Sequence, residues 1–179
     1  MPGLRIAIFA PAPRSGKTTA ANKIVNSFNA TPLSFAEPIK KMGHVLLKSL
    51  GCVRYEDDSL KDQIIPEIGK SYRDILISLG QGLRKDIDDQ IFTKILISKL
   101  KQIPHSIGVV VADLRTPSEW HALAEEGFKF IFVDRGLSEN SSMEGQLNGL
   151  HSDYVVLNDG DIDKLEAKIY KIAHTEEAM

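Results

Sequence analysis

The chain has 179 residues, 22 lysines and arginines against 24 aspartates and glutamates, a net charge of −2 and one cysteine. That length suits one domain burying roughly 70% of its unfolded surface. A single Cys52 excludes an internal disulfide and makes a reducing, cytoplasmic setting the expectation. Dispersed basic residues argue against a nucleic-acid surface, and the absence of an apolar run of about 18 residues argues against membrane spanning or export.

The first predicted strand is Arg5-Ile6-Ala7-Ile8-Phe9. It runs through Ala10-Pro11-Ala12-Pro13-Arg14-Ser15-Gly16-Lys17-Thr18-Thr19 into a helix ending near Phe28. A strand, a tight loop and a helix in that order suit phosphate binding, because loop N–H groups and the positive end of a helix neutralise anionic oxygens without bulky side chains. Gly16 allows close approach, Lys17 reaches outer phosphates, and the Thr18 hydroxyl suits a magnesium ion bridging them. Ser15 and Thr19 complete the phosphate-facing run, and Arg14 adds a cation. The usual opening glycine of G-x-x-x-x-G-K-[ST] is Pro11 here, and neither Pro11 nor Pro13 can donate an N–H. Arg14 and Lys17 are therefore expected to carry more of the phosphate contact than in a glycine-opened loop.

A short second strand is expected over Thr31-Pro32-Leu33-Ser34-Phe35, and Pro38 fits the first turn of a helix that stops near Gly51. Ile39, Met42, Val45, Leu46 and Leu50 give that helix an apolar stripe expected to face the core. Residues 52–70 read as a connecting segment with room for a short helix. Glu56-Asp57-Asp58 within it reads as a solvated charge run. Ser71 is an N-cap for a helix presenting Ile75, Leu76, Leu79 and Leu83, with Gly80 and Gly82 inside it. A further helix follows over Asp88 to Gln102, using Ile91, Ile95, Leu96 and Leu100.

The run Gly108-Val109-Val110-Val111-Ala112 is apolar throughout, as for a strand covered on both faces. Asp113 at its carboxyl end suits magnesium held through water, or a hydrogen bond from a substrate, and Arg115 suits a bidentate grip on phosphate. Pro117 to Glu126 is a predicted helix ended by Gly127, and Phe130-Ile131-Phe132-Val133 a strand. Arg135 then opens the Gly-, Ser- and Asn-rich stretch 136–151, expected to act as a lid that excludes water. Arg135 itself is placed to stabilise charge on a transferring group. Tyr154-Val155-Val156-Leu157 is the last strand, and Asp161 caps a terminal helix carrying Leu165, Ile169 and Ile172.

Alternating strands and helices imply an α/β fold, a three-layer arrangement with a five-stranded, mostly parallel sheet and helices on both faces. Ligands of such sheets bind outside the carboxyl ends of the strands. That rule gathers the phosphate loop, Phe35 to Lys40, Asp113 to Arg115, Arg135 and Asn158-Asp159-Gly160 at one edge. Lys40, Arg73, Arg84 and Lys85, between the second and third strands, are candidates to grip an acceptor phosphate. Phe35 is a candidate to pack on a base.

The ordered set Arg14-Ser15-Gly16-Lys17, Ala36-Glu37-Pro38-Ile39-Lys40, Arg73 with Leu79-Gly80, Asp113-Leu114-Arg115-Thr116-Pro117-Ser118-Glu119, Val133-Asp134-Arg135 and Asn158-Asp159-Gly160 resembles the phage-type deoxynucleoside monophosphate kinases. These form part of the nucleoside monophosphate kinase branch of P-loop NTPases, and the resemblance spans nearly the whole chain. It implies transfer of the γ-phosphoryl of ATP to a deoxynucleoside monophosphate with Mg2+, often by a homodimer, in the cytoplasm (a host's, for a phage-encoded chain). In those terms Arg14 to Thr19 bind ATP phosphates, and Lys40, Arg73 and Arg115 face the monophosphate. Asn158 to Gly160 lie near adenine, with Phe35, Ala36, Gln81 and Asp113 on the substrate side and Arg84 and Lys85 as alternatives for the next cation. The implied organisation is a core of 1–35, 105–135 and 152–179, an acceptor region over about 36–104 and a lid over about 136–151. Gln81-Gly82 replaces a common Thr-acid pair, Phe92 replaces a frequent tryptophan, and Ser142-Met143-Glu144 replaces a His-x-Ser-Glu lid element. Base choice stays open, as do a P-loop kinase for another small molecule (dephospho-coenzyme A or shikimate-type) and a non-catalytic nucleotide-binding switch.

Overall fold

In the computed structural model, residues 3–136, 147 and 149–178 are described. They divide into two compact units, one of residues 1–34 and 96–179, the other Phe35–Ile95.

The first unit is built on a parallel sheet of five strands among the described residues. These are β1 (Arg5–Phe9), β2 (Ala30–Leu33), β5 (Gly108–Val111), β6 (Lys129–Asp134) and β7 (Tyr154–Leu157), in the order β2-β5-β1-β6-β7. Each neighbouring pair is parallel, with Ala7 opposite Val111 on one side and Phe130 on the other. All five carboxyl ends therefore share one edge. The period-2 pleat explains why the central strands are apolar at every position. Leu4, Ile6, Ile8, Val110, Ile131 and Val133 face α1 (Lys17–Ser27) and α6 (Ile162–Glu177), meeting Ala20, Ile24, Leu165 and Ile169 in one buried cluster. On the alternate face Phe9 meets Phe130 and Phe132 edge-on, and Trp120 of α5 (Pro117–Glu125) stacks on Phe130 with ring centroids 4.5 Å apart. The sheet is thus covered by helices on both sides.

The ends of these helices follow local chemistry. Asp161 accepts a hydrogen bond from Lys164 N–H and so caps α6 as expected. At α5, Thr116 and Glu119 form a reciprocal capping box that satisfies two otherwise orphaned donors.

The second unit holds α2 (Glu37–Ser49), a 3-10 turn at Val53–Glu56, a two-stranded antiparallel pair of β3 (Ile64–Ile65) and β4 (Lys70–Ser71), and α3 (Tyr72–Asp86). α4 (Ile91–Leu100) begins in this unit and ends in the first. Ser71 caps α3 in a capping box with Asp74, as its position predicts. The segment 52–70 is more than a connection. Its Cys52, Tyr55 and Ile65 are buried with Leu47 and Tyr72 in a cluster of their own.

One expectation is corrected here. The α2 stripe through Val45, Leu46 and Leu50 does not face a core: these residues are 61%, 44% and 48% exposed, and the buried positions are Gly43 and Leu47. The cause is a close helix contact. A Cβ on Gly43 would lie 2.8 Å from Leu76 Cδ2 and 2.9 Å from Tyr72 Cε2, so the missing side chain lets α3 seat against this line of α2. That contact turns the more apolar stripe outward. In α4, Phe92 and Thr93 are buried beside the expected Leu96 and Leu100.

Candidate functional site

The first unit brings the loop between β1 and α1 together with the ends of β6 and β7. A cleft of about 350 Å³ is lined by Arg14 to Thr19, Arg135, Asn158, Gly160, Ile162 and Leu165. Loop and cleft exist because β1 delivers the chain to the sheet edge and α1 starts directly beyond it, with Gly16 as its N-cap at φ 100°. That backbone region disfavours a Cβ. Gly16 has a second reason to be glycine, since a Cβ there would sit 2.7 Å from Asn158 Nδ2 and 2.9 Å from Leu165 Cδ2.

Inside the loop, Ser15 Oγ is buried and donates to Ala12 O at 2.7 Å, while Lys17 Nζ donates to the same oxygen at 3.2 Å. Arg14 is the one non-glycine residue with positive φ among the described residues, at 59°. Such a conformation costs about 1 kcal/mol or more and persists where neighbours hold it. Here Arg135 Nη1 donates to Arg14 O at 3.0 Å, and Asn158 Nδ2 donates to Ser15 O at 2.9 Å. Both holders come from adjacent strand ends. Asp134 pairs with Leu157, so Arg135 and Asn158 are the next residues in register, and Asn158 N–H donates to Asp134 O.

Asp113 follows β5 and is half-buried, with its Oδ2 accepting from Ser34 Oγ at 2.7 Å. Ser34 lies just after β2, the neighbour of β5, so parallel register brings the two together. Arg115 is exposed, and its backbone is fixed because the buried Glu119 carboxylate accepts from Arg115 N–H at 2.8 Å and Thr116 N–H at 3.2 Å. Asp159 is exposed and paired with Lys168 of α6 at 3.1 Å, whose ammonium lowers the aspartate's pKa. Its carboxylate faces α6, while its neighbours Asn158 and Gly160 line the cleft.

Phe35 is buried, and Ala36 precedes α2, its carbonyl accepting from Lys40 N–H. Lys40 is exposed at its side chain, and its own carbonyl accepts from the Tyr72 hydroxyl at 3.4 Å. Arg73 is exposed and forks onto both oxygens of Asp62, which raises its pKa further and keeps it cationic. Gln81 and Lys85 are exposed on α3. The Arg84 guanidinium lies over the Phe92 ring, 4.9 Å from its centroid, a cation–π contact.

The expected lid over 136–151 falls largely outside the described residues, which lack 137–146 and 148, and so does Ser142-Met143-Glu144. Two residues of the site had no assigned task in the sequence. Ser34 carries no local signal. Glu119 does, since Thr116-x-x-Glu119 before an apolar run is the capping-box signature.

As a metal-binding set, Thr18 and Asp113 offer hard oxygen donors of the type magnesium takes when phosphate oxygens and water complete its shell. Among the described residues no cluster of three or more His, Cys, Asp or Glu could hold a metal alone. No helix among them is long and apolar enough to cross a membrane.

A parallel α/β sheet with this loop at its carboxyl edge is consistent with a P-loop NTPase. No family model matches the chain. A protein of Acanthamoeba polyphaga mimivirus named "Putative deoxynucleotide monophosphate kinase" is 27% identical over 172 aligned positions, a match that covers 87% of this chain and 89% of that protein.

Proposed function

We propose that the protein is a nucleotide kinase that transfers the γ-phosphoryl of ATP to a deoxynucleoside monophosphate, giving the diphosphate and ADP. The observation that carries this reading is the cleft where Arg14, Gly16, Lys17 and Thr18 meet Arg135 and Asn158 at the carboxyl edge of a parallel sheet. The name of the mimivirus relative supports the same class of activity.

In this reading an oxygen of the acceptor phosphate attacks the γ-phosphorus as the bond to the bridging oxygen of ADP breaks. The acceptor phosphate is already anionic, so positioning and charge neutralisation matter more than a general base, and none is assigned. Lys17, Arg14 and Arg135 neutralise the transferring group, and loop N–H groups at the start of α1 hold the inner phosphates. Thr18 and Asp113 would hold magnesium, which would supply further charge neutralisation. Arg115 and the second-unit residues Phe35, Ala36, Lys40, Arg73, Gln81 and Arg84 or Lys85 are proposed for the acceptor side. The turn Asn158 to Gly160 is proposed to pass beside adenine, the stretch 136–151 is proposed as a lid, and a homodimer is proposed as the assembly.

A coupled assay across deoxynucleoside and ribonucleoside monophosphates tests the proposal. Turnover with at least one deoxynucleoside monophosphate is expected. ADP formation with none of them, but with another phosphorylated or hydroxylated small molecule, would replace it.

A further inference from the structure

The loop's donors must face the ligand, yet its sequence withholds two of them, at Pro11 and Pro13, and places a non-glycine residue at positive φ. Something outside the loop sets its peptide planes. We infer that Asn158 is a positioning residue for the phosphate loop, acting through Ser15, rather than a reader of the base. This inference rests on the nucleotide-binding reading above.

In a trans peptide the C=O and the following N–H point in opposite directions. A carbonyl pulled to one side therefore presents the next N–H on the other. Asn158 Nδ2 holds Ser15 O, which fixes the direction of Gly16 N–H. Arg135 Nη1 holds Arg14 O, which fixes Ser15 N–H. These two consecutive peptides lie where the loop turns into α1, and Arg14, Ser15 and Gly16 all line the cleft.

A carbonyl oxygen only accepts, so the amide nitrogen of Asn158 faces Ser15, with one of its two N–H groups engaged by the loop. Steric fit agrees with the hydrogen bond. Asn158 Nδ2 occupies the space a Cβ on Gly16 would need, at 2.7 Å, so the side chain is packed against the turn it orients. The arrangement ties the end of β7 to the loop after β1, two strands away in the sheet.

The two roles differ in what they do to a ligand without a base. Nucleotide and inorganic tripolyphosphate binding are measured by calorimetry for the wild type, Asn158→Ala and Asn158→Leu, the last keeping the side chain's volume without its donor. Thermal unfolding is followed alongside, so that only folded variants are compared. Losing one neutral hydrogen bond that orients the loop should weaken both ligands alike, by about three- to tenfold. Weaker ATP binding with unchanged tripolyphosphate binding would overturn the inference in favour of base contact. Unchanged binding of both would overturn it in favour of a purely structural asparagine. Failure of the wild type to bind either ligand would instead remove the nucleotide-binding reading, and this inference with it.

Discussion

Ser34 Oγ donates to Asp113 Oδ2 at 2.7 Å, joining the carboxyl ends of two neighbouring strands across 79 residues of sequence. The bond orients the carboxylate beyond β5, the group proposed above to face substrate and magnesium. Ser34→Ala should therefore lower kcat by about tenfold while nucleotide Kd stays within about twofold, since a hydrogen bond to a charged group is worth about 1.5–3 kcal/mol. Ser34→Thr keeps the hydroxyl and should restore turnover. A threonine variant as slow as the alanine variant would show that the hydroxyl is not what matters.

Lys17 lines the cleft, and its ammonium lies against Ala12 O. Lys17→Ala should reduce turnover by at least about a hundredfold, the scale seen when one main electrostatic contact to developing charge is removed. The same assay with saturating nucleotide separates this loss from weaker binding. Near-normal turnover would refute the assignment.

The loop was readable because its residues are consecutive and its flanks carry the right periods, apolar at every position before and helical after. Continuous apolar runs such as Val109-Val110-Val111 likewise announced strands buried on both faces, and Ser71 and Asp161 announced their helices through capping chemistry. What stayed hidden depends on partners distant in sequence. The outward turn of Val45, Leu46 and Leu50 follows from how Tyr72 and Leu76 seat on Gly43, which no period in α2 encodes. The β3–β4 pair has strands of two residues each, too short to show alternation. The positive φ of Arg14 comes with hydrogen bonds to the loop from Arg135 and Asn158, more than 100 residues away, and a non-glycine residue gives no sign of it.

Arg73 forks onto Asp62 on the surface of the second unit, with side-chain exposures of 53% and 62%. An exposed pair of this kind adds at most about 1 kcal/mol, so its loss should hardly move the melting temperature. If Arg73 grips the acceptor phosphate, Arg73→Ala should raise the acceptor KM by at least about tenfold and leave ATP affinity within about twofold. Steady-state kinetics with each substrate varied in turn would tell. Equal loss for both substrates would make Arg73 a structural residue.

The Tyr154 hydroxyl, at the start of β7, donates to Glu176 Oε1 of α6. That hydrogen bond, then burial and the carboxylate's charge, push the phenol's pKa up to about 12 from an ordinary value of 10. The fold therefore favours the protonated phenol over what the unfolded chain would hold. By linkage, the stability this adds is fully present below pH 10 and is lost as the pH rises through about 12. The hydroxyl is close to the surface, so the effect should appear more clearly in titration than in total stability. Tyrosinate absorbance of the wild type minus that of Tyr154→Phe should show a step near pH 12. A step near pH 10 would show that the bond to Glu176 does not hold the proton.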